Sequence, residues 1–285
     1  MIGLHRIRHR IKNLRNDLWL EAFLSQQVPE LSNFLESLNH RWGSIQGSPR
    51  VLVIVAFERP EVLNLCLAAI ERHLPSVEVL VFDNSRSAGK RQVIRALCQS
   101  RDTPYLGLPP TATRHPNRSH GLAMTWIWQR VLSQLPIESV GFIDHDLIAT
   151  QPNDPFDYLQ HQVCYGSLNS GQDDTWNLWA GYSFFRSSTF KSVRPNFLYD
   201  FSLNLDTGGR NWQGLYSKLN RGALKFASDE VLGVAVAHES FEAQMIDGAW
   251  LHLGGVSYND NFQVKQRLFG ALETEMLGVD GRSPP

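Results

Sequence analysis

The stretch SVGFIDHDLIAT, residues 139–150, closes an apolar run with Asp144 and Asp146, two carboxylates one residue apart. Such a pair repels unless a cation or a hydrogen-bond donor comes between them. A strand that buries its length and sets this pair at its tip therefore raises the question of a metal. An Asp-x-Asp is cheap, since about one is expected by chance in a chain of this size, so its position carries the weight. Two more apolar runs end in polar tips, FERP at residues 57–60 and FDNS at residues 82–85. Asp83, in the second, suits turn capping as well as ligand contact.

The elements that position these tips follow from hydrophobic patterning. RVLVIVAF, residues 50–57, is β-branched and flanked by turn residues, and reads as a fully buried strand. Pro60 then stands at a favoured first helical position, and Val62, Leu63, Cys66, Leu67 and Ile70 recur at helical spacing. VEVLVFDNS is a second buried strand, which completes a strand–helix–strand unit and predicts a mainly parallel sheet. KRQVIRALCQS and HGLAMTWIWQRVLSQL read as helices, and the Pro-rich TPYLGLPPTATRHPNRS between them as loop. VGFIDHD, QVCYGSLNS and WAGYSFFRSS read as further strands. The fold class expected is α/β, a Rossmann-like mixed sheet flanked by helices, with ligands at the carboxyl ends of its strands.

Composition narrows the function classes. The 285 residues carry a formal net charge of -1 and no basic stripe interleaved with aromatics, which argues against nucleic acid as a partner. The cysteines, Cys66, Cys98 and Cys164, have neither disulfide-framework nor zinc-site spacing and fit a reducing cytosol. No apolar run reaches the roughly 20 residues of a bilayer span, and charges interrupt the first residues where a signal peptide is apolar. The expectation is a soluble cytoplasmic protein, at most peripheral at the inner face of the membrane.

The N-terminal segment stands apart. Leu4, Ile7, Ile11, Leu14 and Leu18 line one helical face, while Arg6, Arg8, Arg10, Lys12 and Arg15 occupy the rest. A basic amphipathic helix of this kind either packs on the main domain or on a second copy, forming a homo-oligomer, or attaches to an anionic membrane through residues 1–20. A second helical stretch, DLWLEAFLSQQVPELSNFLESLNHRW, precedes the linker GSIQGSP. Residues 1–48 thus read as a helical extension of a domain spanning 49–285.

VLVIVAFERPEVLNLCLAAI, VEVLVFDNS and VGFIDHD together resemble the nucleotide-binding half, residues 49–150, of a GT-A-fold glycosyltransferase of the family 2-like kind. Residues 151–285 are then the acceptor-binding half, where WAGYSFFRSSTF resembles the family's acceptor-side strand and LDTGGRNWQGLYSKL its Glu-Asp helix start. The resemblance implies transfer of a hexosyl group from a nucleoside diphosphate sugar to a glycan or lipid-linked acceptor, with inversion. A divalent cation, Mn²⁺ or Mg²⁺, would neutralise the departing diphosphate. Asp146 would ligate the metal directly, and Asp144 would contact the ribose or the metal. Asp83 would hold the nucleobase, and Ala56, Phe57, Glu58 and Arg59 would line the nucleotide pocket. His252, beside Gly254 and Gly255, resembles a closing metal ligand, with His238 as its rival.

Asp206 matches the family's catalytic acid position, with Glu239 and Asp174 as substitutes, although Leu205 replaces the usual preceding Glu and helix capping is the plain alternative. Trp179 and Trp212 are acceptor-side platforms, and with Trp176 and Trp250 they are also core candidates. His145, between the aspartates, is expected to point away as spacing. The family's Asn-x-Gly reads Ser119-His120-Gly121 here, which leaves Arg118 or His120 to reach the diphosphate. Two other functions compete: a nucleotidyltransferase, whose Gly-rich loop and Lys AFERPEV lacks, and a GT-A-like sugar-binding module without turnover.

Overall fold

Six of the seven residues of strand β1 (Arg50–Ala56) are buried, and this apolar ribbon is the centre of the molecule. The computed structural model describes residues 2–43, 47–236, 239–256 and 261–277, with side chains within 7–43, 47–234, 240–256 and 265–274. β1 pairs in parallel with β2 (Glu78–Asp83) and β4 (Ser139–Asp144), and β2 pairs in parallel with β3 (Tyr105–Gly107). β7 (Trp176–Arg186) runs antiparallel between β4 and β6 (Cys164–Ser170), which makes the sheet mixed and mainly parallel, in the order β3-β2-β1-β4-β7-β6. The short β3 lies within the segment expected to be loop, because Tyr105 and Leu106 are its only apolar signal.

A second, antiparallel sheet was not legible in the sequence. It runs β5-β10-β9-β8 through β5 (Leu147–Ala149), β10 (Trp250–His252), β9 (Glu239–Ile246) and β8 (Asp229–Val236). Only His145 and Asp146 separate β4 from β5, so the chain changes sheets at the aspartate pair.

Helices cover both faces of the larger sheet. α3 (Pro60–His73), with Pro60 at its start, α4 (Ala88–Ser100) and α6 (Asn261–Leu277) share one core with the second sheet. α5 (Pro116–Arg130) lies in the other core together with α1 (Ile2–Leu24) and α2 (Leu31–Trp42). α5 starts before the HGLAMT segment, since Pro116 is pre-organised for a first turn and His115 caps it. Gly121 lets α5 approach closely: a Cβ there would sit 2.6 Å from the Phe197 carbonyl oxygen. No α-helix forms at LDTGGRNWQGLYSKL. Gly208, at φ 95°, and Gly209 leave only short 3-10 turns at Gly209–Asn211 and Tyr216–Lys218.

The amphipathic N-terminal helix docks on the domain by the side opposite to its apolar stripe. Leu20, Phe23 and Leu24 enter the core, and Asn13 donates to Asp200 Oδ1 at 2.9 Å and to Ser202 Oγ at 3.2 Å. Asn16 accepts from the Arg118 guanidinium at 2.9 Å, and Asp17 pairs with Arg210. Ile7, Ile11, Leu14 and Leu18 remain 56–67% exposed. No helix among the described residues is long and apolar enough to cross a membrane.

Candidate active site

The switch from β4 to β5 turns both aspartates toward one cavity. Asp144 is the last residue of β4, and Asp146 sits in the turn before β5, whose Leu147 pairs across the second sheet with His252 at the end of β10. The Leu253 N–H donates to the Asp146 carbonyl at 3.0 Å, which ties the two strands at this point. Asp144, Asp146 and His252 each offer a ligand atom, all within 4.8 Å of one another, and His252 Nε2 lies 3.6 Å from Asp146 Oδ1. Among the described residues this is the group that fits a metal ion.

Its electrostatics fit a cation as well. Burial, and next the charge of Asp146, push the Asp144 carboxyl above the ordinary aspartate range, with His252 and His145 opposing. At an effective dielectric constant near 20, two charges at such a spacing repel by roughly 3 kcal/mol. A divalent ion between them reverses that sign, and two carboxylate oxygens with one imidazole nitrogen are a suitable donor set.

Gln244, unremarked in the sequence, sets the tautomer of His252. It pairs opposite His252 across β9 and β10, with its Oε1 2.8 Å from His252 Nδ1. Its Nε2 donates to Asp229 Oδ2 at 2.6 Å. A carboxylate only accepts, so the Gln244 amide nitrogen must face Asp229 and its oxygen must face the imidazole. Nδ1 therefore carries the proton, and the Nε2 lone pair is directed to the aspartates.

The cavity, about 200 Å³, is also lined by Phe57, Asn84, Asn117, His120, Trp179 and Asp206. Asp206 directly follows the loop after Tyr199 that an Asp200–Leu205 bridge closes. Its Oδ1 accepts from the Thr207 N–H at 2.7 Å and from Asn117 Nδ2 at 2.6 Å. His120 Nδ1 stands 3.6 Å from Asp144 Oδ1. Burial pushes His120 down to about 4 against the opposing charges of Asp206 and Asp146, so the ring is neutral at pH 7. His145 also lines the cavity and is buried. The strand ends at Asp144, so strict side-chain alternation no longer applies and His145 is not a spacer.

Of the residues expected at the nucleotide pocket, only Phe57 and Asp144 reach the cavity wall. Ala56 is fully buried beside Asp83 in the sheet. Asp83 is fully buried too: it accepts from the Tyr105 hydroxyl at 2.9 Å and from the Ser85 N–H at 2.8 Å. Its neighbour Asn84 faces the cavity instead, and Asn84 Oδ1 is a buried acceptor with no protein donor. Glu58, at a left-handed φ of 58°, clasps the next strand tip by accepting from the N–H groups of Arg86 and Ser87. Arg59 donates to the Val256 carbonyl at 3.1 Å.

Trp179 lines the cavity with its ring 4.7 Å from that of His252. Trp212 lies elsewhere, edge-on to Trp176 at 6.4 Å, while Trp176 and Trp250 are core. Arg118 is committed to Asn16, Thr113 and Tyr199. Asp174 occupies a turn at φ 58°, off the cavity wall. His238 and the side chain of Glu239 lie outside the described residues.

Neither the family profiles nor the curated sequences compared with the chain match it. Similar solved structures are glycosyltransferases. A mannosyltransferase from Pyrobaculum calidifontis, solved with GDP-mannose and Mn²⁺, aligns over 67% of this chain and 58% of its own at 11% identity and a TM-score of 0.37. The galactosyltransferase LgtC, solved with donor and acceptor sugar analogues, aligns over 48% and 57% at 13% identity and 0.35. TarS of S. aureus aligns over 52% and 50% at 11% identity and 0.36. The chain thus spans less than two thirds of each of these proteins.

Proposed function

We propose that the chain is a metal-dependent glycosyltransferase that moves a hexosyl group from a nucleoside diphosphate sugar to a hydroxyl of a glycan or lipid-linked acceptor, with inversion. The observation that carries the reading is the Asp144, Asp146 and His252 group sharing one cavity with the carboxylate of Asp206. The mixed oxygen and nitrogen donor set favours Mn²⁺ over Mg²⁺. When bound, the cation supplies the positive charge that the departing diphosphate requires.

The chain's own residues do the rest. Phe57 and Asn84 form the base and ribose side, with the unpartnered Asn84 Oδ1 accepting from a nucleotide donor group and Asp83 holding the tip that presents it. Trp179 gives the sugar an apolar face beside His252. Asp206 Oδ1 is held by Asn117 and Thr207, which leaves Oδ2 to accept the acceptor hydroxyl's proton as the new glycosidic bond forms and the bond to the diphosphate breaks. A neutral His120 adds no competing charge beside Asp144.

A thermal-shift screen of Mn²⁺ with nucleoside diphosphates, followed by nucleotide-sugar hydrolysis, tests this reading. A melting-temperature rise that Asp146→Ala removes is the expected outcome, and the absence of a shift with any nucleotide would sink the proposal. Asp206→Asn should keep the shift and lose about 10²–10⁴-fold in transfer. A product that retains anomeric configuration removes the role given to Asp206.

A further inference from the structure

We infer that the outward face of α1 is a docking surface for an anionic lipid membrane. The helix is held from behind, by Asn13, Asn16, Asp17 and the buried Leu20, Phe23 and Leu24, so its apolar stripe has no part in the fold. Ile7, Ile11, Leu14 and Leu18 stand 56–67% exposed and account for four of the six large hydrophobic side chains exposed among the described residues. At 100° per residue they occupy about 60° of arc. The exposed Arg15 and Arg8 border this arc on one side and Arg10 on the other, with Lys12 farther round over the Phe201 ring.

Five Lys and Arg fall within residues 6–15 with no acidic residue among them, in a chain whose net charge is -1. An apolar stripe between rows of cations matches the interface of an anionic bilayer, where the stripe enters the acyl boundary and the cations meet headgroup phosphates. A second copy fits less well. The acidic residues of α1 are Asp17, already paired with Arg210, and Glu21, too few to offset the facing cations.

The seating also orients the cavity. Asn13 holds Asp200 and Ser202, the start of the loop that carries Asp206, and Asn16 holds Arg118, whose neighbour Asn117 holds Asp206. The loop bearing Asp206 is therefore tied to the back of the helix that docks. That this is the acceptor rim rests on the glycosyltransferase reading; the docking surface does not.

Co-sedimentation of the full chain with phosphatidylglycerol/phosphatidylcholine vesicles, against phosphatidylcholine alone, tests the surface. Wild type should pellet with the anionic vesicles, less so as salt rises. Ile11→Glu with Leu14→Glu, at positions that make no core contact, should weaken partitioning roughly tenfold or more and leave the melting temperature unchanged. Wild type staying in the supernatant, or a double variant that pellets equally, overturns the inference. So does a wild-type dimer in sedimentation velocity that the double variant turns into a monomer, which assigns the stripe to a second copy.

A fluorophore on Leu18→Cys, on the stripe, should be quenched by spin-labelled lipid chains and one on Ser100→Cys should not; equal quenching overturns the orientation. The Mn²⁺ and nucleotide shift, measured on the same samples, keeps the two readings separable. Vesicle binding without any such shift leaves the surface standing and removes the glycosyltransferase.

Discussion

Gln244→Leu isolates the contact that prepares His252 for a metal. The substitution keeps the approximate size of the side chain and removes the 2.8 Å acceptor of His252 Nδ1 together with the 2.6 Å donor to Asp229. The proton is then free to move to Nε2, where it blocks the lone pair directed at Asp146, 3.6 Å away. Loss of a partner behind a ligating histidine costs about 10–100-fold in metal affinity, equivalent to about 1.4–2.7 kcal/mol. A net hydrogen bond contributes about 0.5–1.5 kcal/mol, so the larger part of the expected loss comes from the tautomer. Mn²⁺ binding followed by calorimetry, or by the electron paramagnetic resonance of free Mn²⁺, reads it. The pair Gln244→Glu with Asp229→Asn keeps an acceptor at Nδ1 without setting two carboxylates together, and should hold Mn²⁺ within about threefold of wild type. Wild-type affinity in Gln244→Leu, or equal loss in the pair, would refute the tautomer argument.

The packing around the aspartates supplies another test. A Cβ on Gly181 would sit 2.6 Å from Asp144 Oδ2 and 2.3 Å from the Trp179 ring, so Gly181→Ala should displace both, cost about 1–3 kcal/mol in urea unfolding and lower Mn²⁺ affinity as well. His120, largely buried and pushed down to about 4, binds a proton more weakly folded than unfolded. Stability should therefore be complete above about pH 6.5 and fall toward pH 4, and His120→Gln should flatten the fall between pH 7 and 5 by on the order of 1–2 kcal/mol. Burial raises all three thiols, Cys98 and Cys164 to about 12. A disulfide reagent at pH 8 should thus label no cysteine until denaturant is added; rapid native labelling would contradict the packing.

Local pattern made the parallel strands legible, because a strand buried on both faces must be apolar along its whole length. β1, β2 and β4 therefore show as runs, and their polar tips follow from them. α3 announces itself by Pro60 and apolar residues at helical spacing. The aspartate pair at the end of β4 belongs to the same local logic, so half of the candidate site lay open in the chain. β8 and β9 left no comparable trace, since a sheet with one exposed side mixes polar and apolar residues and Val231 and Leu232 follow directly on Asp229 and Glu230.

Placement across long sequence distances followed different rules. His252 reaches Asp146 only because β10 pairs with β5, more than a hundred residues earlier, and Gln244 reaches His252 only through the register of β9. No local preference encodes such a register, which is set by the burial of Ile148, Ile246 and Leu251 together. Asp83 and Glu58 are acidic tips like the aspartate pair, yet nearby N–H groups and a hydroxyl claim their oxygens. The stripe on α1 marked an amphipathic helix but not the face that docks. Asparagines with partners at Asp200 and Arg118 chose that face, and the apolar residues were left outside. Residue type and spacing thus settle which atoms are on offer at each strand end, and the distant pairings that bury the remaining apolar surface settle which of them meet.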